Sequence, residues 1–350
     1  MTDPALPTVS FVVPTYRRPE TLRPTLAALL AVDYPSDHRE VIVVDDGSAD
    51  CTPDVVAEMS EAAEARMIYI GQENTGAATA RNRGARAATG EILIFVDDDI
   101  VVEPSHVRDH LATRATQGDA LVNGHWEFST ALAQNLATTP FGRFRLELER
   151  WIKEGVTKSP LSDGCEAPSA VTACNLAIRR SLFWELGGFD ETFPFAGYED
   201  QELSYRAARA GCPLVYDRRI RLVHNDQRLT LDQFCRRQRR GACTAVYLAD
   251  RHPEEFGRRP LILENGPLLR SDRPRTVLKK LVKRGLTCAP VLAAVHALVR
   301  ILERAGPHTR LLRRSYWSMC GLYIFQGVRD GFAAVAPSNP ARAHDGFRCP

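Results

Sequence analysis

The run Ile92-Leu93-Ile94-Phe95-Val96-Asp97-Asp98-Asp99 decides the fold predicted for this chain, because five apolar residues end abruptly in three carboxylates. A short apolar run with β-branched and aromatic members predicts a buried strand. Three adjacent acids repel one another, and a divalent cation is the simplest group that would stabilise them. A solvated acidic loop would show the same residues. The position after a core strand favours a ligand site, because open α/β sheets bind ligands at the carboxyl ends of their strands.

The three aspartates are expected to have different tasks. On an extended backbone, Asp97 and Asp99 point the same way and Asp98 points to the other side. Two carboxylates would therefore face a metal ion, which leaves Asp98 for a second task. Carboxylate and water ligands suit Mg²⁺ or Mn²⁺, and the absence of Cys/His ligand pairs argues against zinc.

The composition predicts a protein with a sizeable core and no global charge that would attract nucleic acid. Of 350 residues, 44% are hydrophobic, and the formal net charge is +2. Nine cysteines without a C-x-x-C pair predict reduced thiols in a cytoplasmic protein, and Met1–Val9 does not resemble a signal sequence. No uninterrupted run of about 20 apolar residues predicts a membrane-spanning helix, the nearest approach being Leu286–Leu302.

Three further strands are predicted before Ile92, and each is followed by polar residues. They are Val9–Val13, Val41–Val44 and Met67–Ile70, with helices beginning near Pro19, Thr52 and Ala77. Strands and helices that alternate at this spacing predict a parallel sheet with right-handed crossovers. The ends of the first, second and fourth strands then converge on one crevice, where a nucleotide is the usual occupant. Neither the dinucleotide fingerprint nor the P-loop follows the first strand, so a metal is expected to hold phosphate here.

Six motifs in order resemble those of family 2 glycosyltransferases, and an ordered set is more specific than any single motif. They are Val12-Val13-Pro14-Thr15-Tyr16, Val43-Val44-Asp45-Asp46-Gly47-Ser48, Asn74-Thr75-Gly76 with Ala80-Arg81-Asn82, Phe95-Val96-Asp97-Asp98-Asp99, Gly187-Gly188-Phe189-Asp190-Glu191, and Gly197-Tyr198-Glu199-Asp200-Gln201-Glu202-Leu203. The resemblance covers roughly the first 250 residues and does not extend to the C-terminal hundred.

The resemblance implies an α/β fold of the glycosyltransferase A type, with a mostly parallel nucleotide-binding sheet flanked by helices and followed here by a helical appendage. It also implies an inverting hexosyl transfer from a nucleotide-diphosphosugar to an acceptor hydroxyl, as in glycan biosynthesis, with Mg²⁺ or Mn²⁺ on the diphosphate. A UDP-sugar is favoured because it is common in the family. Two alternatives stay open. One is a sugar-phosphate nucleotidyltransferase, whose Gly-rich basic signature is absent from Tyr16-Arg17-Arg18-Pro19, and the other is a non-catalytic glycan-binding or scaffold protein.

The same resemblance assigns the donor side and the metal. The donor-binding residues would be Pro14, Thr15, Tyr16, Asp46, Arg81, Asp97 and Asp98. Asp46 would hydrogen-bond the base, whereas Asp45 is expected only to brace the Asp-Gly turn. Asp97 and Asp99 match the aspartate motif that meets ribose and metal. His224 follows the strand-like run Ile220–Val223 and resembles a histidine that completes the metal shell, with an ordinary edge-of-sheet histidine as an equal alternative.

Asp200 resembles the general base that removes the acceptor proton. The pair Glu199-Asp200 is predicted to occupy the first turn of a helix, where carboxylates are favoured as anions. The helix dipole would lower the pKa of Asp200, whereas a base for a sugar hydroxyl benefits from a higher pKa. Glu199 is interpreted first as a helix cap and also as an acceptor-side candidate. Asn175 could contact the sugar.

The segments outside these motifs are predicted mainly as helices. Pro140–Trp151 is expected as an amphipathic helix packed on the sheet, with the wall of an acceptor groove as the alternative, and the loop Thr157–Ser169 could close over the donor. Helical stretches follow at Thr276–Ala305 and Thr309–Gly331. The second carries aromatic and aliphatic residues beside arginines, which is typical of an interfacial helix and equally of a helix that covers the catalytic domain.

The predicted domains are a catalytic domain at 1–255, a linker at 256–274, a helical appendage at 275–333 and a disordered tail at 334–350. The expected partners are a nucleotide-sugar donor and a glycan, lipid-linked or small-molecule acceptor. The expected location is the cytoplasm, with a peripheral contact through the C-terminal helices at the inner face of the membrane. Nucleic acid is not an expected partner, because only the Arg236–Arg240 cluster suggests it.

Overall fold

The computed structural model describes residues 6–155, 158–226, 228–305 and 310–336. The chain forms two compact units. The sheet unit comprises Met1–Ser129, Gly155–Thr192 and Glu199–Asp226, and the helical unit comprises Thr130–Glu154, Phe193–Tyr198 and Gln227–Pro350. Both units are therefore built from segments that are separated in the sequence.

The strands all belong to one ten-stranded sheet in the sheet unit. They are β1 Val9–Thr15, β2 Arg39–Asp45, β3 Arg66–Gly71, β4 Ile92–Val96, β5 Ile100–Val102, β6 Leu121–Phe128, β7 Lys158–Pro160, β8 Glu166–Pro168, β9 Asn175–Arg179 and β10 Leu214–His224. The four predicted strands are thus confirmed, each with one or two additional residues at an end except β4.

The α-helices of both units are numbered in chain order. They are α1 Pro19–Leu30, α2 Thr52–Glu61, α3 Ala77–Ala87, α4 His106–Gln117, α5 Thr130–Thr138, α6 Pro140–Gly155, α7 Arg180–Glu185, α8 Glu199–Arg209, α9 Leu231–Arg251, α10 Pro253–Phe256, α11 Pro260–Asn265, α12 Pro274–Leu286, α13 Ala289–Ala305 and α14 Arg310–Val335. Short 3₁₀ turns lie at Ser36–His38 and Ser162–Gly164.

The sheet has the order β3-β2-β1-β4-β9-β6-β10-β8-β7, with β5 paired to β10. Strands β3, β2, β1 and β4 are parallel, as the alternation of strands and helices predicts. Strand β9 runs antiparallel between β4 and β6, so the sheet is mixed. Because β1 lies between β2 and β4, the carboxyl ends of these three strands meet at one edge of the sheet.

Both faces of the central strands are buried, since successive side chains of a strand point to opposite faces. Ile92, Ile94 and Val96 join one hydrophobic cluster with α1, whereas Leu93 and Phe95 join a second cluster with α3. This explains why the decisive apolar run is continuous rather than alternating. β4 contains no polar residue, and the first polar residue, Asp97, directly follows its end.

The helical unit has a core of its own. Residues of α6, α9 and α14 form it: Phe141, Phe144, Leu148, Phe234, Cys235, Leu312, Tyr316, Met319 and Cys320, with Val299 of α13. The apolar side of α6 therefore packs in this cluster, not on the sheet as its sequence was expected to do, because amphipathicity fixes an apolar side but not its partner. Burial of Tyr316, Met319 and Phe325 makes α14 a packing helix, whereas Leu311 and Trp317 in its first half are 58% and 45% exposed, so its interfacial role stays a prediction.

Other expectations for the C-terminal part change in detail. The predicted helix Thr276–Ala305 is two helices, α12 and α13, whose axes differ by 85°. The predicted linker contains α11, and α14 extends to Val335 into the predicted tail, whose residues 337–350 lie outside the described residues. Of the loop Thr157–Ser169, Thr157 is also outside them, and Lys158–Pro168 forms a hairpin of β7 and β8. The predicted domain boundaries differ from the divisions of the two units and, as functional boundaries, stay a prediction.

Among the described residues, no single α-helix combines the length and the apolarity that crossing a membrane requires. The bent pair formed by α12 and α13 passes by length and composition alone.

Candidate active site

The candidate site lies at the edge where β1, β2 and β4 end. The strands finish at Thr15, Asp45 and Val96, and the first residues after β2 and β4 are Asp46 and Asp97. The sheet thus brings together three of the six sequence motifs. The other three reach the same edge through α3, the turn before α8, and α8 itself.

The aspartates of the triplet are held by two arginines, and Asp98 and Asp99 share one of them. Arg81 Nη2 donates to Asp97 Oδ1 at 2.6 Å. Thr15 Oγ1 donates to Asp98 Oδ2 at 2.8 Å, and Arg18 Nη1 donates to Asp98 Oδ1 at 2.9 Å and to Asp99 Oδ2 at 3.0 Å. Two arginines therefore offset the repulsion of three adjacent carboxylates in this structure.

Arg18 is a site residue that the sequence analysis did not single out. It follows β1 directly in Thr15-Tyr16-Arg17-Arg18, but nothing in that order distinguishes it from its exposed neighbour Arg17. Burial raises the pKa of Asp98 to about 6, and the charge of Arg18 opposes that rise. Asp98 thus depends on Arg18 and Thr15 to remain an anion at neutral pH.

Asp99 and His224 meet as the metal hypothesis requires. Asp99 Oδ1 lies 3.3 Å from His224 Nε2. Burial lowers the pKa of His224, but the hydrogen bond and charge of Asp99 outweigh it, so the pKa is raised on balance. His224 Nδ1 is buried and has no hydrogen-bond partner. Such an atom is compatible with a ligand that the described residues do not supply.

The donor chemistry of this pair suits a divalent ion, because carboxylate oxygen and imidazole nitrogen both bind Mn²⁺ and Mg²⁺ accepts the carboxylate. Asp97, the third expected ligand, is instead held by Arg81. Among the described residues, no group of three or more His, Cys, Asp or Glu side chains is gathered as a metal site. The residues present therefore fit a metal in type, while the assignment of Asp97, Asp99 and His224 stays a prediction.

Arg81 links the aspartate triplet to the acceptor-side motif. Its side chain is buried, and Arg81 Nη1 donates to Glu199 Oε1 at 2.9 Å while Nη2 binds Asp97. The guanidinium also lies over the ring of Phe189, 5.6 Å from its centroid. The proximity of Arg81 to a nucleotide stays a prediction. The buried guanidinium contacts one residue in each of three other motifs: Asp97, Phe189 and Glu199.

Asn82, next to Arg81, fixes the Gly187–Glu191 turn. Asn82 Nδ2 donates to the carbonyl of Phe189 at 2.8 Å, and the N–H of Phe189 donates to Asn82 Oδ1 at 2.9 Å. Gly188 has φ +69°, and a Cβ there would lie 2.9 Å from Asn82 Oδ1. This explains physically why a glycine precedes Phe189 in the motif.

Asp200 is half-buried in the first turn of α8. Burial and the charge of Glu199 raise its pKa to about 7, although Arg81 and the N–H groups of Gln201 and Ala173 act in the opposite direction. Burial and the charge of Glu199 therefore outweigh Arg81 and the two backbone N–H groups. A carboxylate with this pKa is suited to accept a proton near neutral pH.

The loop that supplies the Ala173 N–H is held in place from both sides. Asn123 Nδ2 donates to the carbonyl of Thr172 at 2.9 Å and to that of Asn175. Ser204 Oγ donates to the carbonyl of Asp200 at 2.6 Å and accepts from the N–H of Val171 at 3.0 Å. Sequence reasoning missed Asn123 and Ser204, because the loop residues that they hold lie 33 to 52 residues away in the chain.

Asp46 is buried, and its carboxylate is bound within the protein. Gln72 Nε2 and the N–H of Thr75 donate to Oδ1 at 2.8 and 2.9 Å, and the N–H of Gly76 donates to Oδ2 at 2.9 Å. Asp45 accepts from the N–H of Ser48, as expected of a residue that braces the turn. The structure thus joins the second and third motifs through Asp46, and its predicted contact with a base stays a prediction.

The remaining predicted residues divide into exposed and buried ones. Tyr16 is exposed, with the guanidinium of Arg17 5.0 Å from its ring centroid, whereas Pro14 is buried in β1. Asn175 is 1% exposed, and its Oδ1 lies 2.8 Å from His110 Nε2 in the core. The backbone of Asn175 lies at the sheet edge, where β9 begins beside Val96. Its side chain, however, turns inward to His110.

Comparison with known proteins gives three findings. The family model "Glycosyl transferase family 2" matches residues 10–187. The chain is 30% identical over 243 residues to a validoxylamine A glucosyltransferase from Streptomyces hygroscopicus subsp. limoneus, covering 61% of this chain and 50% of that protein. It is 29% identical over 211 residues to the glycosyltransferase AglE from Haloferax volcanii, covering 60% and 64%. The chain thus spans between half and two thirds of the length of these relatives.

A solved structure with a similar fold is the mannosyltransferase PcManGT from Pyrobaculum calidifontis, in complex with GDP-Man and Mn²⁺. The TM-score is 0.58 at 20% sequence identity, over 93% of this chain and 87% of that chain. At this identity the likeness shows the fold.

Proposed function

Because this chain belongs to glycosyl transferase family 2, we propose that it transfers a sugar from a nucleotide-diphosphosugar to an acceptor hydroxyl, with inversion at the anomeric carbon. The observation that carries the proposal is the connection from Asp200 through Glu199 and Arg81 to Asp97 at the end of β4. It places a carboxylate with a near-neutral pKa beside a buried cation and the aspartate triplet. Acceptor activation and donor binding would thus share one edge of the sheet.

Asp200 is proposed as the general base. Its raised pKa favours proton acceptance from a hydroxyl, and the N–H groups of Ala173 and Gln201 orient the carboxylate. Glu199 is proposed to act on the acceptor side by holding Arg81, which keeps the local charge balanced. For Asn175, its buried contact with His110 supports a role in fixing the start of β9 more than a direct contact with sugar.

The donor is proposed to bind at the ends of β1, β2 and β4. The residues concerned are Pro14, Thr15, Tyr16, Asp46, Arg81, Asp97 and Asp98, with Arg18 added from its contacts. Arg18 and Arg81 are cations that an arriving diphosphate would attract, at the expense of their present carboxylate partners. A UDP-sugar is the favoured donor and a hexose the favoured sugar.

A divalent ion, Mg²⁺ or Mn²⁺, is proposed to be held by Asp97, Asp99 and His224. When bound, it would offset the charge that develops on the diphosphate leaving group. In this structure Asp97 contacts Arg81, and Asp99 contacts Arg18 and His224, so an ion at these residues would compete with two arginines for the carboxylates.

The acceptor is proposed to be a glycan, a lipid-linked sugar or a small molecule. A location at the cytoplasmic face of a membrane would suit a lipid-linked acceptor, with the C-terminal helices as the peripheral contact. The substrates of the relatives named above do not decide among these classes.

Calorimetric titration with UDP, GDP and dTDP, each with Mn²⁺ and with excess chelator, tests the donor class. We expect one nucleotide to bind in a metal-dependent manner, and Asp99→Asn to weaken that binding by about tenfold or more. Asp54→Asn, at an exposed position of α2, is the matched control and should bind as wild type does.

Absence of nucleotide binding under every condition would contradict the proposal and favour a non-catalytic scaffold. Retained binding without sugar transfer to any acceptor would point the same way. Release of pyrophosphate from a nucleoside triphosphate and a sugar phosphate would instead support a nucleotidyltransferase.

A further inference from the structure

The helix α12 exposes large aliphatic side chains on one side. Leu278, Leu281 and Val282 are between 49% and 62% exposed. They are spaced i, i+3 and i+4, which places them on one face of the helix. Contact between such a face and water is unfavourable. Exposed apolar patches of this kind on a folded unit mark interaction sites.

The next helix, α13, repeats the pattern. Val291, Leu298 and Ile301 are between 37% and 59% exposed, and the residues between them on that side are Ala294 and Ala297. The opposite side of α13 is anchored in the helical unit, because Val299 is buried and Leu292, Val295 and Leu302 pack against the α6, α9 and α14 cluster. Each helix therefore has one docked face and one exposed apolar face.

Within residues 268–304 the exposed charged side chains are all positive, and two exposed acids of other helices pair with this stretch: Glu264 with Lys279 at 3.6 Å and Asp232 with His296 at 3.1 Å. Of residues 268–304, all of which the structure describes, the exposed charged ones are Arg270, Arg273, Arg275, Lys279, Arg284, Arg300 and Arg304. The two acids of this stretch face inward: Asp272 accepts from Lys280 Nζ at 2.8 Å, and Glu303 accepts from Tyr316 Oη at 2.6 Å.

Two further lysines are also turned away from this surface. Lys280 Nζ donates to the carbonyl of Pro267 at 2.8 Å, and Lys283 Nζ donates to Asn265 Oδ1 at 2.7 Å. The fold thus turns Lys280 and Lys283 toward the protein and leaves the other Lys and Arg side chains of this stretch exposed. The exposed cations flank the aliphatic side chains.

We propose that this α12–α13 surface, formed by Leu278, Leu281, Val282, Val291, Leu298, Ile301 and the exposed cations, binds a lipid bilayer that contains anionic lipids. Aliphatic side chains without hydrogen-bonding groups suit the boundary of the acyl chains, and Lys and Arg suit anionic headgroups. A second copy of this chain would bring like charges together, so charge complementarity favours the anionic bilayer.

The helices lie on the bilayer and do not cross it. Lys279, Lys280, Lys283 and Arg284 lie in the second half of α12, where a crossing by the α12–α13 pair would place them in the hydrocarbon. α12 has 13 residues, about 20 Å, whereas the hydrocarbon core is about 30 Å thick. The inference rests on the peripheral contact of the C-terminal helices proposed above and specifies its surface, whereas its test is separate from sugar transfer, because lipid binding is measured without donor or acceptor.

Co-sedimentation of the full chain with vesicles tests the proposal. We expect binding to vesicles of phosphatidylcholine mixed with phosphatidylglycerol, weak binding to phosphatidylcholine alone, and release at high salt or in alkaline carbonate. The variant Leu281→Gln/Leu298→Gln/Ile301→Gln should lower the partition coefficient by about tenfold or more. The variant Arg275→Gln/Arg284→Gln/Arg300→Gln should lower it by about fivefold per cation at most.

Matched controls separate the surface from general hydrophobicity and net charge. Leu161→Gln removes an exposed leucine of the sheet unit, and Arg23→Gln/Arg108→Gln/Arg221→Gln removes three exposed arginines there. Both should bind as wild type does, and circular dichroism should show every variant folded. The proposal is overturned if wild type stays in the supernatant with anionic vesicles, if the α12–α13 variants bind unchanged, or if the surface instead mediates dimers that exclude vesicles. Carbonate-resistant binding would overturn the peripheral geometry.

Discussion

Asp200 shows how one side chain combines influences that the sequence cannot weigh. A position in the first turn of α8 lowers a carboxylate pKa, whereas burial and the neighbouring Glu199 raise it. The order Glu199-Asp200 is visible in the sequence, but the burial is not. Arg81 then connects this pair to Asp97. The charge of Glu199 thus both binds Arg81 and raises the pKa of Asp200.

The variant Glu199→Gln should lower the pKa of Asp200, because a negative neighbour is lost and Arg81 acts on fewer carboxylates. A base must be deprotonated, so activity is lost as the pH falls through about 7 in wild type, and in the variant at lower pH. The measurement is the pH profile of kcat/KM. Asp200→Asn should reduce kcat about a hundredfold or more without loss of nucleotide binding.

Glu202→Gln is the matched control, because Glu202 lies in the same turn and pairs with Arg206. In Glu202→Gln, the pH at which kcat/KM falls on the acidic side of the profile should equal that of wild type. If Glu199→Gln also leaves this pH unchanged, the titrating group is not Asp200.

At the scale of elements, the approach of α3 to the sheet depends on a glycine. A Cβ at Gly84 would lie 2.5 Å from Val12 Cγ1 and 3.1 Å from Val44 Cγ2, inside the core beneath the second cluster. In the sequence, Gly84 reads as an ordinary weak point of a helix that is otherwise correctly predicted. The position of α3 matters for function, because this helix carries Arg81 and Asn82.

Gly84→Ala should therefore destabilise the protein by about 2 kcal/mol, despite the better helix propensity of alanine, because α3 must move away from the sheet. Gly285→Ala is the matched control in α12, since nothing lies within 4 Å of its added Cβ. It should stabilise by about 0.5–1 kcal/mol. Denaturant unfolding measures both, and equal effects of the same sign would refute the packing argument.

At the scale of the whole molecule, the response to acid reflects a buried histidine pair. His106 and His110 of α4 are both 0% exposed, with ring centroids 4.7 Å apart, and neither nitrogen of His106 has a hydrogen-bond partner. Burial lowers the pKa of His106 well below its ordinary value and that of His110 to about 4. Below pH 6.5 these two histidines bind more protons in the unfolded chain than in the folded one. Both therefore lower the free energy of unfolding as the pH falls.

His110 alone should lower the free energy of unfolding by about 2 kcal/mol between pH 7 and pH 5. Asp98 and Asp200 act in the opposite sense, because their raised pKa values favour the folded state in acid. The test is therefore a comparison: His106→Leu should lose less stability than wild type on going from pH 7 to pH 5. It should cost little at pH 7, since no hydrogen bond is removed. Parallel pH profiles of urea midpoints would contradict this account.

The sequence by itself determined the α/β class, the four parallel strands, the order of six motifs, the edge at which Asp97, Asp98 and Asp99 were expected, and the helix turn expected to carry Asp200. These features are local: a strand buried on both faces needs a continuous apolar run, and its polar end follows within one or two residues. The family match agrees with that assignment.

Only the tertiary structure decided which charges pair and which faces are exposed. Arg18 meets Asp98 and Asp99 across 80 and 81 residues, Arg81 meets Glu199 across 118, and Asn175 turns inward to His110. α14 and α12 are both rich in aliphatic and basic residues, yet Met319, Leu322 and Phe325 of α14 are buried whereas Leu278, Leu281 and Val282 of α12 are exposed. The physical reason is the same in each case: burial and ion pairing depend on which distant segment arrives at a residue, and local pattern does not contain that information.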